Sequence, residues 1–467
     1  MHLFCEHTAL LQDGKIVLVP ALLNIEAPYI QSVQEWHAPL SELPPQTRIL
    51  KNQMLTPAFV NAHTHLAMSF FRAIDSATAA SGNMITDLFF KLESHMTAED
   101  VRAFTRMGAY ECLFFGVGTV WDHYYHGEAI AQGLSDVGLT GVVAPTLQDL
   151  EGPGKDSWER EWAATENIHR SQALAARGIV AAWGPHATDT VSSRLWTKIH
   201  EAASQTQLPI HAHLAQTREE FLKHMSRENL SPVKFLARLG IFEGTYQKVF
   251  AHGVYLRDED LQILAKQSQQ TLIFCPFSQM VFDFPANVTE WQKYRIPWAV
   301  ATDTVASNDS MNVQKELRYV SGFPLQGLSF SKNYSDFRTK HNSLAELTLE
   351  RQAQWQTYPE FRDPAFLLSK VWQVPGQIHP QLKVGVINAN AFANLIIWDL
   401  ASPVFWPARN LRALGFSDVA PAIVNMMLGG QWVSSDGTYT QTLCASPAYK
   451  AALAEGNRRV ELLLKRK

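Results

Sequence analysis

Between residues 56 and 305 short apolar stretches alternate with amphipathic helical ones, and this alternation restricts the fold more than any other feature of the chain. The apolar stretches are Thr56–Leu66, Gly118–His123, Thr140–Thr146, Gly178–Gly184, Leu208–Leu214, Lys248–Val254, Gln270–Pro276 and Trp298–Asp303. Helical patterns fill the gaps, among them Thr97–Phe115 and Ser192–Thr206, the latter opening on a Ser-Ser cap. Near-continuous apolar strands joined by helical crossovers predict an α/β fold with a parallel sheet. Eight such units over about 250 residues match a (β/α)8 TIM-type barrel.

The chain ends read differently. Residues 1–55 form short strands broken by turns, with Asp13-Gly14 separating Thr8–Gln12 from Lys15–Leu23 in hairpin fashion. Strand patterns return after residue 380 at Leu395–Asp399, Ile423–Leu428 and Gln431–Val433. A small β-sandwich assembled from both ends is the expectation, its parts being residues 1–55 and 381–440. The barrel then covers 56–380, with a helical insertion after its eighth strand, and a C-terminal helix occupies 441–467.

Bulk properties exclude several classes. With 467 residues, 46% hydrophobic and 18% charged, the chain can bury a large core. The net charge is −4, and the only basic cluster is Lys465-Arg466-Lys467, which reads as a helix end, so no nucleic-acid partner is expected. Cys5, Cys112, Cys275 and Cys444 are widely scattered without a Cys-x-x-Cys pair, against a zinc ribbon or a disulfide framework. Met1–Asn24 lacks a signal-peptide pattern, and no apolar run approaches the ~20 residues of a membrane helix. The expected setting is the cytoplasm, with no membrane partner.

Barrel enzymes carry their chemistry at the carboxyl ends of the strands. Those ends read His63-Thr64-His65, Asp122-His123, Pro185-His186, His211-Ala212-His213, Ala251-His252-Gly253 and Ala301-Thr302-Asp303. On a strand, residues two apart share a face, so His63 and His65 can point at one ion. The pair alone says little, because 17 histidines in 467 residues give roughly 0.6 such pairs by chance. Histidines repeated at successive strand ends, with one aspartate, say more. Three histidines and an aspartate suit Zn²⁺ or Fe²⁺ with a position open for water.

These residues carry a resemblance to the amidohydrolase superfamily, in its chlorohydrolase and S-adenosylhomocysteine deaminase branch. The similar stretches are Pro57–Arg72, Gly116–Asp122, Gly184–Val191, Ile210–Glu220, Phe250–Leu256, Cys275–Ser278, Ala301–Met311 and Val384–Asp399, in family order. The resemblance implies that His63, His65, His213 and Asp303 bind one divalent metal, zinc ahead of iron. It implies that His252 polarises the substrate or holds the attacking water, that Asp303 moves protons, and that His186 contacts substrate. Binuclear relatives bridge two metals with a lysine at the fourth strand; Gly184-Pro185-His186 offers none, so a single metal is expected. The implied activity is hydrolysis of a C–N bond, of the deaminase type, on a small nitrogen-rich molecule, heterocycles among the candidates. A chlorohydrolase, an acyclic amidase and a non-catalytic scaffold are the alternatives, and a homodimer is the family's usual assembly.

One position departs from the pattern. Deaminases of this branch place glutamate three residues after the fifth-strand histidine, where this chain has Gln216. An amide cannot take up a proton. Proton transfer then falls to Asp303, or Gln216 only orients substrate, or the activity is lost. Glu219 and Glu220 are expected on the following helix, pointing away. His123 reads as structural, Tyr124, Tyr125 and His126 as the pocket mouth, and Arg72 as half of an ion pair. Specificity is expected from the loops Asp75–Phe90 and Asp149–Trp162 and the insertion after residue 321.

Overall fold

A computed structural model describes residues 1–74, 84–340, 344–434 and 439–466. Strands from the two chain ends share one sheet. They are β1 (His2–Gln12), β2 (Lys15–Glu26), β3 (Tyr29–Glu35) and β4 (Arg48–Pro57), joined by β14 (Leu395–Asp399), β15 (Ile423–Leu428) and β16 (Gln431–Trp432). Their order is β16-β15-β14-β4-β1-β2-β3. Asp13 and Gly14, at φ of 48° and 77°, make the expected two-residue hairpin between Gln12 and Lys15. β4 runs parallel to β1 and antiparallel to β14, so the amino-terminal strands end where the carboxyl-terminal ones begin. The described strands of the two chain ends thus form one seven-stranded sheet. One face is closed by its own apolar cluster, to which Val386, Ile387, Ala391 and Ala393 contribute.

The middle of the chain supplies the parallel strands β5 (Phe59–Thr64), β6 (Val117–Tyr124), β7 (Thr140–Leu147), β8 (Ile179–Ala181) and β9 (Gly184–Pro185) as one arc. A second arc is β10 (Ile210–Leu214), β11 (Lys248–His252), β12 (Gln270–Phe274) and β13 (Trp298–Val300). Single parallel bridges, Thr64 to Asp303 and Trp183 to Ile210, join the arcs at both seams. Each expected strand position holds a strand, with three adjustments. Thr56 and Pro57 end β4, and β5 begins at Phe59. The stretch 178–184 splits into β8 and β9, because the Trp183 N–H turns aside to the Pro209 carbonyl. β13 stops at Val300, because the Thr302 N–H donates to the Asn61 side chain and Asp303 takes a left-handed φ of 62°.

Inside the ring Val60, Val142, Ala144, Val249, Ala251, Ile273 and Ala299 pack with Ile378, Leu382 and Phe392. The last three come from the segment after residue 370, which closes the end opposite the histidines; Lys370 and Val371 carbonyls accept from Val300 and Val60 there. The helix Ala98–Phe114 opens on a Thr97/Asp100 capping box, and Ser193–Thr206 on Ser192. In the insertion, helices Lys332–Lys340 and Leu344–Thr357 bury none of their described residues. Pro447–Arg466 is held to the body by Arg466 and Arg459, which pair with the buried Asp100. Among the described residues, no helix is long and apolar enough to cross a membrane.

Candidate metal centre

The carboxyl ends of β5, β10, β11 and β13 bring His63, His65, His213, His252 and Asp303 together. Nitrogen and oxygen atoms of His63, His65 and Asp303 lie within 4.8 Å of one another, as do those of His63, His213 and His252. Strand alternation explains the pair on β10, whereas on β5 a register shift against β6 between Asn61 and Thr64 breaks the alternation before His65. Ile210, Ala212 and Leu214 face the outer core, leaving His211 and His213 on the inner face. At His252 alternation gives way: its backbone turns left-handed, with φ of 81°. Left-handed backbone at a residue other than glycine costs energy and concentrates at functional sites.

Hydrogen bonds decide which ring nitrogens are free. His65 Nδ1 faces the His123 carbonyl, and His213 Nδ1 lies 2.8 Å from the His186 carbonyl. A carbonyl only accepts, so both Nδ1 atoms carry the proton and both Nε2 atoms present lone pairs. Those two lone pairs face each other at 3.3 Å. His65 Nε2 and His63 Nε2 lie 3.3 Å and 3.5 Å from Asp303 Oδ1. Lone pairs repel at such distances unless a cation lies between them. Ligands about 2.0–2.1 Å from a tetrahedral zinc ion are themselves ~3.3–3.4 Å apart, so the spacing fits one divalent cation. His63 Nε2 and both ring nitrogens of His252 are buried without a hydrogen-bond partner, and an ion with its water would satisfy them.

At His65 burial is outweighed by the neighbouring Asp303 carboxylate, which raises the ring above its ordinary value; at the other rings charge agrees with neutral ligands. Burial, reinforced by neighbouring histidines, holds His213 well below the usual imidazole range and His186 at about 3. Burial also lowers His252 to about 3, against the pull of Asp303. Neutral imidazole is the ligand form. Burial opposes the charged form of Asp303, yet the facing rings of His63 and His65 hold the carboxyl well below its ordinary value. Ser278 Oγ donates to Asp303 Oδ2 at 2.6 Å, fixing Oδ1 toward the histidines.

A cavity of about 50 Å³ opens over these residues, lined by His65, His213 and Asp303 together with His123, His186 and Gln216. Met68, Phe89, Phe90 and Phe282 form its apolar wall. His211 stands behind the group, its Nε2 2.9 Å from His63 Nδ1. His123 turns Nδ1 to Thr146 Oγ1 at 3.0 Å and still lines the cavity. Tyr124 and Tyr125 line it too; His126 instead begins the helix Gly127–Val137, its N–H donating to Glu161. Arg72 pairs with Glu111 through two bonds of 2.7 and 2.8 Å.

Glu220 lies on the helix Arg218–Glu228 and accepts from the Ala215 and Gln216 N–H groups and the Thr188 hydroxyl. It therefore shapes the turn after β10 and is absent from the described lining. Of the three expected specificity segments, the first contributes Ile85, Phe89 and Phe90, residues 75–83 lying outside the described residues. Asp149–Trp162 and the insertion contribute no described lining residue; Asp149 caps a helix through Ser192 instead. The residue that sequence reasoning missed is Glu93, a buried acid in the cavity wall. Its only signal was an acid just after Leu88, Phe89, Phe90 and Leu92, a run that Lys91 interrupts.

A family model described as the amidohydrolase family matches residues 54–334. A 5-methylthioadenosine/S-adenosylhomocysteine deaminase of Caldanaerobacter subterraneus subsp. tengcongensis is 28% identical over 384 residues, 80% of this chain and 81% of that protein. A 5′-deoxyadenosine deaminase of Methanococcus maripaludis is 27% identical over 301 residues, 63% of this chain and 70% of that protein. Two solved structures share the fold. An adenosine deaminase of Xanthomonas campestris with bound zinc superimposes with a TM-score of 0.78 at 18% identity, covering 99% of this chain and 98% of the other. An atrazine chlorohydrolase of Arthrobacter aurescens TC1 complexed with zinc does so at 0.77 and 15%, covering 98% and 100%.

Proposed function

The chain belongs to the amidohydrolase family, and from that premise we propose that it is a single-metal aminohydrolase. It would replace an amino group on a small nitrogen heterocycle by oxygen, releasing ammonia. 6-Aminopurine nucleosides are the first class to test, since the relatives named above act on that class. The observation that carries the reading is the facing pair of Nε2 lone pairs, His65 and His213, beside Asp303 Oδ1. His63, His65, His213 and Asp303 would hold the ion, with zinc ahead of iron. When bound, a divalent cation supplies the charge that makes hydroxide available near neutral pH.

This chain's own residues do the rest. Asp303, held ionised, takes a proton from the attacking water and returns it to the leaving amine. His252, with its ring nitrogens unpartnered, positions that water and stabilises negative charge at the attacked carbon. His186 and Gln216 offer hydrogen bonds to the ring edge, and the Phe89, Phe90 and Phe282 wall keeps bulk water away. The cavity as it stands admits water and little more, so a bicyclic substrate enters as these side chains give way.

Zinc-loaded protein should release ammonia from 5′-methylthioadenosine or a related aminopurine, and Asp303→Asn should lower turnover by ~10² or more with the fold retained. Normal turnover in that variant would remove the base. A second reading, dechlorination, is favoured by Gln216, because chloride leaves without a proton; chloride assayed beside ammonia separates the two. A scaffold role would leave the purified protein without metal. The proposal also carries the division at residues 55, 380 and 440, a homodimer and a cytoplasmic setting; light scattering tests the homodimer.

A further inference from the structure

Glu93 closes the short helix Phe90–Glu93 and is 8% exposed. It lines the same cavity as Gln216, His65, His213 and Asp303, and among the described lining residues only Glu93 and Asp303 are carboxylic acids. Among the described residues, no lysine or arginine lines that cavity to neutralise it. An acid buried without a cation is costly when ionised and persists more readily as the neutral acid. Burial indeed pushes Glu93 up to about 7, although the Tyr124 hydroxyl and the His65 ring pull the other way.

Asp303 fills a different role. Both of its oxygens are engaged, Oδ1 beside His63 and His65 and Oδ2 on Ser278. As a carboxylate it begins as the base for water and has no proton to give until it has taken one. Gln216 has no acidic proton. Adding water across a ring C=N bond needs both functions at once, a base for water and an acid for the ring nitrogen.

We propose that Glu93 is the catalytic acid that protonates the substrate's ring nitrogen, the task for which Gln216 is chemically unfit. This rests on the aminohydrolase reading above. In the first half of the reaction water gives one proton to Asp303, its oxygen bonds to the ring carbon, and the neighbouring nitrogen takes the proton of Glu93. In the second half the new hydroxyl returns its proton to Glu93 as the carbonyl forms. The carbon–amine bond breaks, and the amine takes the proton from Asp303 and departs as ammonia. Glu93 ends neutral and Asp303 ionised, as they began.

The test uses the full-length zinc-loaded protein and 5′-methylthioadenosine, with the wider 6-aminopurine series behind it. Ammonia release gives kcat and KM for the wild type, Glu93→Gln, Glu93→Asp, Gln216→Glu and the Glu93→Gln/Gln216→Glu pair, with metal content and melting temperature recorded for each. Glu93→Gln should cut kcat by ~10²–10⁴ at unchanged metal content and nearly unchanged KM. Glu93→Asp, which keeps an acid, should retain more activity than Glu93→Gln. Gln216→Glu should recover about tenfold or more in the double variant, which a merely structural role for Glu93 would not allow. A raised KM with normal kcat would reduce Glu93 to a binding contact and overturn the assignment, as would a double variant no better than Glu93→Gln. Should the wild type release no ammonia from any aminopurine, the aminohydrolase reading falls and this role with it. Should the wild type and Glu93→Gln turn over alike, only the role of Glu93 falls.

Discussion

His211 and His213 differ by two positions and share a face, yet only one reaches the centre. Two residues along a strand are ~6.6 Å, and that depth puts His211 beneath the ion position, where it holds His63 Nδ1. Facing was legible in the sequence; depth was not, because alternation carries no information along the barrel axis. Replacing His211 with phenylalanine should therefore weaken metal binding by ~10–100-fold without unfolding the protein, measured by competition with a chelator. Unchanged affinity would show that His63 needs no support. Glu93 was illegible for another reason: it lies in a four-residue helix, too short for its burial to be read from periodicity.

Elements were read from apolar runs and caps, and both worked where the chain obeys local rules, as at Thr97 and Ser192. They ran short where side chains interrupt the backbone ladder, as Asn61 does at Thr302. The alternating pattern of the end strands says which face is buried but not what covers it, and Val386, Ile387, Ala391 and Ala393 turn out to help cover it. The segment that plugs the barrel begins in the stretch expected to be helical and runs into the stretch expected to be sandwich, and its anchor is His379. Its Nε2 donates to the Ala181 carbonyl at 3.0 Å and its Nδ1 accepts from the Gln381 N–H at 3.1 Å. Burial lowers this ring to about 4 from 6.5. Below pH 6.5 the unfolded chain takes up a proton that the folded ring refuses until about pH 4. Stability from this group is thus complete above pH 6.5 and declines through that window, by on the order of 3 kcal/mol in all. Urea midpoints measured from pH 7 to pH 4 should fall, and His379→Gln should make the decline shallower; an identical slope would exonerate this ring.

For the whole molecule, a cation bound only by the folded state stabilises it by mass action. At a thousandfold excess over Kd the gain is ~4 kcal/mol, so stripping metal with a chelator should lower the melting temperature and one equivalent of zinc should restore it. A melting temperature indifferent to both would contradict a built site.

The seven-stranded sheet sets an order of events in time. β4 pairs on one side with β1 and on the other with β14, more than 330 residues later in the chain. On the ribosome, β4 must wait with a bare edge while the whole barrel is synthesised, since its second neighbour does not yet exist. Exposed strand edges invite pairing with other chains. A chain terminated after residue 380 never receives that neighbour. Such a product should aggregate even though every residue of the metal centre is present in it, so the last strands act as the sheet's closing seam as well as its edge.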